Sequence, residues 1–204
     1  MTSNKHIDLI DIPLDLGANK YGASLAPQAI REVDLEKTLI SLNLKVSNQQ
    51  DLIIPSRETL KAHHQNDHYQ SIIQQVCQNL SHKTYHSLQQ GHLPISLGGD
   101  HSLALGSIAG VKKWHDEKKR SLGVIWFDAH ADLNTPTTRT SQNIHGMPLA
   151  ALLGHGPAGL THINTASPIL EDQAVSLLGL RALDPPEVHF ISQHQLTHYP
   201  MTTI

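Results

Sequence analysis

The chain has 204 residues, of which 39% are hydrophobic and 16% charged, with a formal net charge of −3. A chain of this length ordinarily makes one domain and can bury roughly 70% of its unfolded surface, while its single cysteine, Cys77, leaves neither a disulfide framework nor a zinc ribbon to consider. No basic stripe invites nucleic acid or an anionic membrane, no apolar run reaches membrane-spanning length, and the polar start Met1–His6 lacks a signal-peptide core, so the cytoplasm is the expected location.

Strands and helices alternate along the chain. Ile7 to Ile12 reads as a first strand, followed by a Gly-containing loop and a helix beginning near Pro27. Tyr69, Ile72, Ile73, Val76 and Leu80 fall at three- and four-residue intervals and mark one apolar helix face. That helix can extend to Gly91, a natural stop. Leu93-Pro94-Ile95-Ser96-Leu97 is a short apolar run of the type found in buried parallel strands. It leads into Gly98-Gly99-Asp100-His101-Ser102 and a predicted helix from His101 to Lys119. Leu122 to Phe127 repeats the pattern and ends in Asp128-Ala129-His130-Ala131-Asp132. A loop and a helix near Met147 to Leu153 follow, then a Gly-, Asn-, Thr- and Pro-rich loop from Gly154 to Pro168. Ala174 to Leu178 is another strand, Glu187 to His194 a short helix, and His198 to Thr202 a final strand. The alternation implies one α/β domain over residues 1–204, a three-layer sandwich with a mainly parallel sheet.

The two polar motifs carry the chemistry. Ligands of open α/β sheets bind where strands end, and both motifs sit there. Asp128, His130 and Asp132 are two apart, so on an extended backbone all three side chains leave from one face. Taken singly, such residues are turn formers or caps, and Asp100, just before a predicted helix, reads as an N-cap. Together, two carboxylates and an imidazole, with a second His-bearing strand end, point to a metal site. Oxygen and imidazole donors without thiolate favour Mn²⁺ or a similar divalent ion over structural zinc. A carboxylate bridging two such ions, about 3.5–4 Å apart, would let them acidify a shared water and aim the hydroxide at an electrophilic carbon, so the reaction class is metal-assisted hydrolysis. Most of the sixteen histidines, including His63, His64, His68, His82, His86, His194 and His198, lie in polar surroundings without a ligand partner at useful spacing and read as surface residues.

These motifs resemble those of the arginase (ureohydrolase) family, and the resemblance runs along nearly the whole chain. Pro13-Leu14-Asp15-Leu16-Gly17, then Gly22, then Ala26-Pro27-Gln28-Ala29-Ile30-Arg31, is similar to the family's amino terminus. The stretch from Asn134 through Ser141, Asn143, Ile144, His145, Gly146, Met147 and Pro148 resembles the loop with which arginases hold arginine, where agmatinases differ. Leu178-Gly179-Leu180-Arg181-Ala182-Leu183-Asp184-Pro185 resembles a segment whose aspartate faces the substrate.

The resemblance implies an arginase-like fold and conversion of L-arginine to L-ornithine and urea through a manganese-activated hydroxide. It assigns His101, Asp128 and Asp132 to one manganese and His130 to another, with Asp128 bridging both. It makes His145 a proton shuttle, places Asn134, Ser141 and Asn143 on the substrate's α-carboxylate, and gives Asp184 the α-ammonium. From the residues alone, His145 is a polar loop histidine and Asn134, Ser141 and Asn143 are ordinary turn chemistry. Asp184 is equally a helix start with Pro185 in the first turn. A homo-oligomer is implied in the same way.

The family's third metal motif, Ser-x-Asp-x-Asp followed by Asp-Pro, and a later guanidinium-binding glutamate have no counterpart before Ile204. The second ion would keep only His130 and Asp128, and the chain reads as an arginase domain incomplete at its carboxy terminus. The alternative function is therefore a catalytically inactive fragment that binds metal weakly or associates with a complete subunit. In the family, later strands insert into the middle of the sheet, so edges expected to be paired would lie open. A metal-dependent deacetylase on a related fold is a third reading, against which Asp132 and the arginine-type loop both weigh.

Overall fold

The computed structural model describes residues 5–48, 52–60, 67–138 and 141–203; His63 and His64 lie outside them. The described strands are β1 (His6–Ile12), β2 (Lys45–Asn48), β3 (Leu93–Gly98), β4 (Val124–Phe127), β5 (Val175–Leu180) and β6 (Thr197–Pro200). The described α-helices are α1 (Ala26–Glu32), α2 (Leu35–Ser41), α3 (Gln70–Gln89), α4 (Ala104–Glu117), α5 (Pro148–Leu152) and α6 (Pro185–Gln193). Every strand pair is parallel, as alternation with helices requires. The strands form two sheets of three, ordered β2-β1-β3 and β4-β5-β6.

Apolar patterning accounts for most of these elements. Ile7, Leu9, Ile10 and Ile12 of β1 are all buried, because an interior parallel strand is covered on both faces. Helix α3 buries the face predicted from its spacing, Ile73, Val76 and Leu80, and continues it through Cys77, Ser81, Thr84 and Ser87. It packs closely on α4, where Gly106 and Gly110 leave no room for a side chain. A Cβ there would lie 2.5 Å from the Cys77 and Ser81 carbonyl oxygens respectively. Complete burial pushes the Cys77 thiol up to about 12, which removes it as a nucleophile.

Three departures have local causes. β2 and α2 are absent from the expected elements: their apolar spacings, Leu35, Leu39 and the capping Leu42 on the helix and Leu44 and Val46 at the strand, are short and bury little, since both elements lie on the exposed flank of the first sheet. The predicted helix at His101 begins instead as a 3₁₀ turn, His101–Leu103, before α4. The last strand starts at Thr197 and yields to a 3₁₀ turn at Met201, so it is shorter than expected at its carboxyl end. Among the described residues, β3 and β4 are each paired along one edge only, and Ile125 and Phe127 of β4 are 71% and 77% exposed.

Candidate metal centre

Two strand ends build the site. β3 finishes at Gly98 and turns beneath the exit of β1, where the Gly99 amide donates to the Ile12 carbonyl at 3.2 Å and the Asp100 amide to that of Leu14 at 2.7 Å. The approach is so close that a Cβ on Gly99 would sit 1.9 Å from the Leu14 oxygen, which explains the glycine. Asp100 is the N-cap expected from its position, and it does more. Its carboxylate accepts from the Ser102 amide at 3.0 Å, from the Ser102 hydroxyl, and from the Gly17 amide at 2.7 Å. Burial raises the Asp100 pKa above its ordinary value despite these donors.

The second turn is clamped from both sides. The Asp128 amide donates to the Leu178 carbonyl at 3.0 Å, and the Ala129 carbonyl accepts from Arg181 and Ala182 at 2.9 and 3.0 Å. Asp132 is held by the start of α5, whose Leu149 and Ala150 amides both donate to its carbonyl at 3.1 Å. The expectation that Asp128, His130 and Asp132 leave one face of an extended backbone is not met. β4 stops at Phe127, and Asp132 adopts a left-handed backbone with φ of 52°. Asp128 and Asp132 thus converge on His101, while the His130 side chain, 62% exposed, meets Asp128 alone of these groups.

His101 Nδ1 lies 2.7 Å from Asp132 Oδ2 and 3.2 Å from Asp128 Oδ2. Its ring stacks on the buried Trp126 indole, with centroids 4.4 Å apart, which limits its rotation. Asp128 presents its other oxygen, Oδ1, to His130: Nδ1 at 3.2 Å and the amide at 3.0 Å. Burial pulls His101 toward neutrality, but the Asp132 and Asp128 carboxylates outweigh it and leave its pKa raised. Burial likewise favours neutral Asp128, yet the His130 amide and the two imidazoles hold its carboxyl below the ordinary value.

A divalent cation fits this set. His101, Asp128 and Asp132 each offer an atom within 4.8 Å of the others. Asp132 Oδ2 is buried and accepts no well-directed hydrogen bond, although His101 Nδ1 is close. Donor atoms 2.7 and 3.2 Å apart are close to the spacing of ligands held about 2.0–2.2 Å from one ion. His130 belongs to no such group of three among the described residues.

The four metal-type side chains share a cavity of about 370 Å³ with His145, Ala182, Leu183, Asp184 and Glu187. His145 is brought there by a 3₁₀ turn, with its amide donating to the Gly17 carbonyl at 3.1 Å. Asp184 starts α6 and accepts from the Asn134 side-chain amide at 3.0 Å. Ser141 and Asn143 do not line this cavity, and the Ser141 hydroxyl is a buried oxygen with no hydrogen-bond partner among the described residues. Glu187, expected only as the start of a short helix, also lines this cavity. It is 3% exposed, and its carboxylate accepts from the Asp184 amide at 2.8 Å and the Leu133 amide at 3.2 Å. The pattern Asp184-x-x-Glu187 is a capping-box signature and was the available signal.

Residues 5–204 match the model of the Arginase family. Arginase of Staphylococcus aureus (strain COL) is 39% identical, over 100% of this chain and 66% of that protein. Arginase of Bacillus caldovelox is 39% identical, over 97% of this chain and 65% of that protein. The native crystal structure of Bacillus caldovelox arginase at pH 5.6 superposes with a TM-score of 0.90 at 37% identity, covering 98% of this chain and 66% of that one. A crystal structure of Bacillus subtilis arginase does so with a TM-score of 0.87 at 34% identity, covering 98% and 65%. The chain thus spans about 66% of the length of the curated relatives it matches.

Proposed function

The chain belongs to the arginase family, and from that premise we propose an arginase-type hydrolase that converts L-arginine to L-ornithine and urea. The observation that carries this reading is the convergence of His101, Asp128 and Asp132 in one cavity with His145 and Asp184. We assign His101, Asp128 and Asp132 to one Mn²⁺ and His130 to a second, with Asp128 between them because it turns one oxygen toward each imidazole. A bound ion of this kind supplies Lewis acidity, which brings water toward its hydroxide form near neutral pH.

The remaining roles fall to groups around the cavity. Hydrolysis breaks the bond between the guanidinium carbon and the side-chain nitrogen, which must leave protonated. His145, on the cavity wall, is the group assigned to deliver that proton. Asp184, steadied by Asn134, takes the substrate's α-ammonium. Asn134, Ser141 and Asn143 are assigned to its α-carboxylate by the family resemblance; Asn134 reaches the site through Asp184, while Ser141 and Asn143 stand outside the cavity lining. We read residues 1–204 as one cytoplasmic domain that assembles into a homo-oligomer; no helix among the described residues is long and apolar enough to cross a membrane.

One observation favours a second reading, that of an inactive or weakly metal-binding chain. His130 meets Asp128 but completes no group of three ligands among the described residues, and two protein ligands hold a divalent ion poorly against water. Elemental analysis combined with a urea assay on L-arginine separates the two. Two tightly held Mn²⁺ per chain with robust urea release supports the hydrolase. At most one weakly held ion with background release supports the second reading, and urea release from agmatine in preference to arginine overturns the substrate assignment.

A further inference from the structure

Residues 13–22, between β1 and α1, form neither strand nor helix, yet they meet both histidine-bearing turns of the cavity. Gly17 is the point of contact. Its amide donates to Asp100 at 2.7 Å, and its carbonyl accepts from the His145 amide at 3.1 Å. A Cβ on Gly17 would lie 2.8 Å from the Ser102 hydroxyl and 2.9 Å from an Asp100 oxygen, so the loop is docked there without slack. A segment with no backbone ladder of its own needs its polar groups fixed from elsewhere.

Arg57 fixes them. From the 3₁₀ turn Arg57–Thr59, its Nη2 donates to the carbonyls of Asp15 and Ala18, which bracket Gly17 in the chain. Its Nε lies 3.6 Å from Asp15 Oδ1, while Asp15 Oδ2 accepts from the Gly22 amide at 3.3 Å and the Ser24 hydroxyl at 3.1 Å. The guanidinium carbon lies over the rings of Tyr21 and Tyr69, 5.0 and 5.1 Å from their centroids, within cation–π range. The Arg57 and Asp15 side chains are only 12% and 14% exposed, so water competes little for these bonds. Arg57 does not line the metal cavity, and its reach into the cavity runs through the backbone of Gly17.

We propose that Arg57 is a positioning residue for His145, acting by holding residues 15–18 so that the Gly17 carbonyl meets the His145 amide. The proposal rests on the assignment of His145 to proton delivery. The His101 turn depends on Arg57 less, because Asp100 keeps its two Ser102 donors whatever the loop does.

Amide hydrogen exchange of the full chain, followed by NMR, tests it. Arg57→Ala should speed exchange at the Gly17 and His145 amides about ten- to hundredfold, while the buried part of α3 exchanges as in the parent. Arg57→Lys keeps the charge but lacks the planar fork; it should give a smaller increase, and it keeps the test sound if the alanine variant folds poorly. Exchange at His145 unchanged in both variants overturns the proposal, as does equal acceleration throughout α3, which would make Arg57 a general stabiliser. In a parent that releases urea from L-arginine, Arg57→Ala should also lower kcat about ten- to a hundredfold, with KM and bound metal near parental values; an unchanged kcat likewise overturns it. A parent that releases no urea overturns the hydrolase reading alone, and the exchange result still decides whether Arg57 holds His145.

Discussion

Replacing Asp100 by alanine removes the acceptor on which two loops of the site converge. Its carboxylate takes the Gly17 amide from the exit of β1 and the Ser102 amide and hydroxyl from the turn that carries His101. Gly17 in turn accepts the His145 amide through its carbonyl, so one side chain ties both histidine-bearing segments together. A buried donor left without a partner costs about 1–3 kcal/mol. Two backbone amides are stranded by Asp100→Ala, which gives about 2–6 kcal/mol, reduced somewhat because the burial cost of the carboxyl itself disappears. Asp100→Asn keeps one oxygen but turns an amide NH₂ toward a backbone N–H, which places its cost at about 1–3 kcal/mol. Either loss is large beside the roughly 5–15 kcal/mol that holds a typical domain together. Urea unfolding followed by circular dichroism measures both, and Mn²⁺ affinity should fall in the same order as His101 loses its anchored turn. Variants within about 0.5 kcal/mol of the parent, the range of an ordinary surface change, would refute the reasoning.

Asp128→Asn should lower bound metal per chain, measured after gel filtration, more than His130→Asn does, because Asp128 faces both imidazoles; equal or reversed losses would argue against the bridging role. His145→Asn should reduce kcat on L-arginine by about a hundred- to ten-thousand-fold while metal content stays intact, and a parallel loss of metal would sink the proton-transfer role. Glu187 sets a pH dependence: burial raises its pKa above the ordinary 4.5, outweighing its two backbone donors. A carboxyl with a raised folded pKa contributes stability below its unfolded value and loses it as pH climbs through the folded one. The stability of the parent relative to Glu187→Gln should therefore fall as pH rises above the ordinary value of 4.5, and a rise in that direction would contradict the assignment.

Much of this molecule is written locally. The apolar runs at Ile7, Leu93, Leu122 and Ala174 all become parallel strands, but only those at Ile7 and Ala174 are largely buried, because a strand covered on both faces needs little else. The helix marked by Ile73, Val76 and Leu80 forms for the same reason. Asp100 caps its turn as its position predicts, since a cap is decided within a few residues. β2 and α2 are only weakly legible, because the short apolar spacings of Leu35, Leu39 and Leu42 and of Leu44 and Val46 fall on an exposed flank, in or beside elements of four and seven residues.

The sequence by itself determined which residue types stand at strand ends, and hence the expectation that His101, Asp128, His130 and Asp132 serve a metal. Only the tertiary structure decided which of them meet. The turn after β4, with its left-handed backbone at Asp132 and the α5 amides on the Asp132 carbonyl, brings Asp128 and Asp132 to His101, and His130 completes no such group among the described residues. Tertiary packing likewise set Trp126 against His101 and brought the Glu187 carboxylate to Leu133, 54 residues away in sequence. It also placed His92 against Asp8 across a separation of 84. Such contacts are set by strand register and helix docking. These depend on how whole apolar faces fit together, and residue spacing along the chain does not encode that fit.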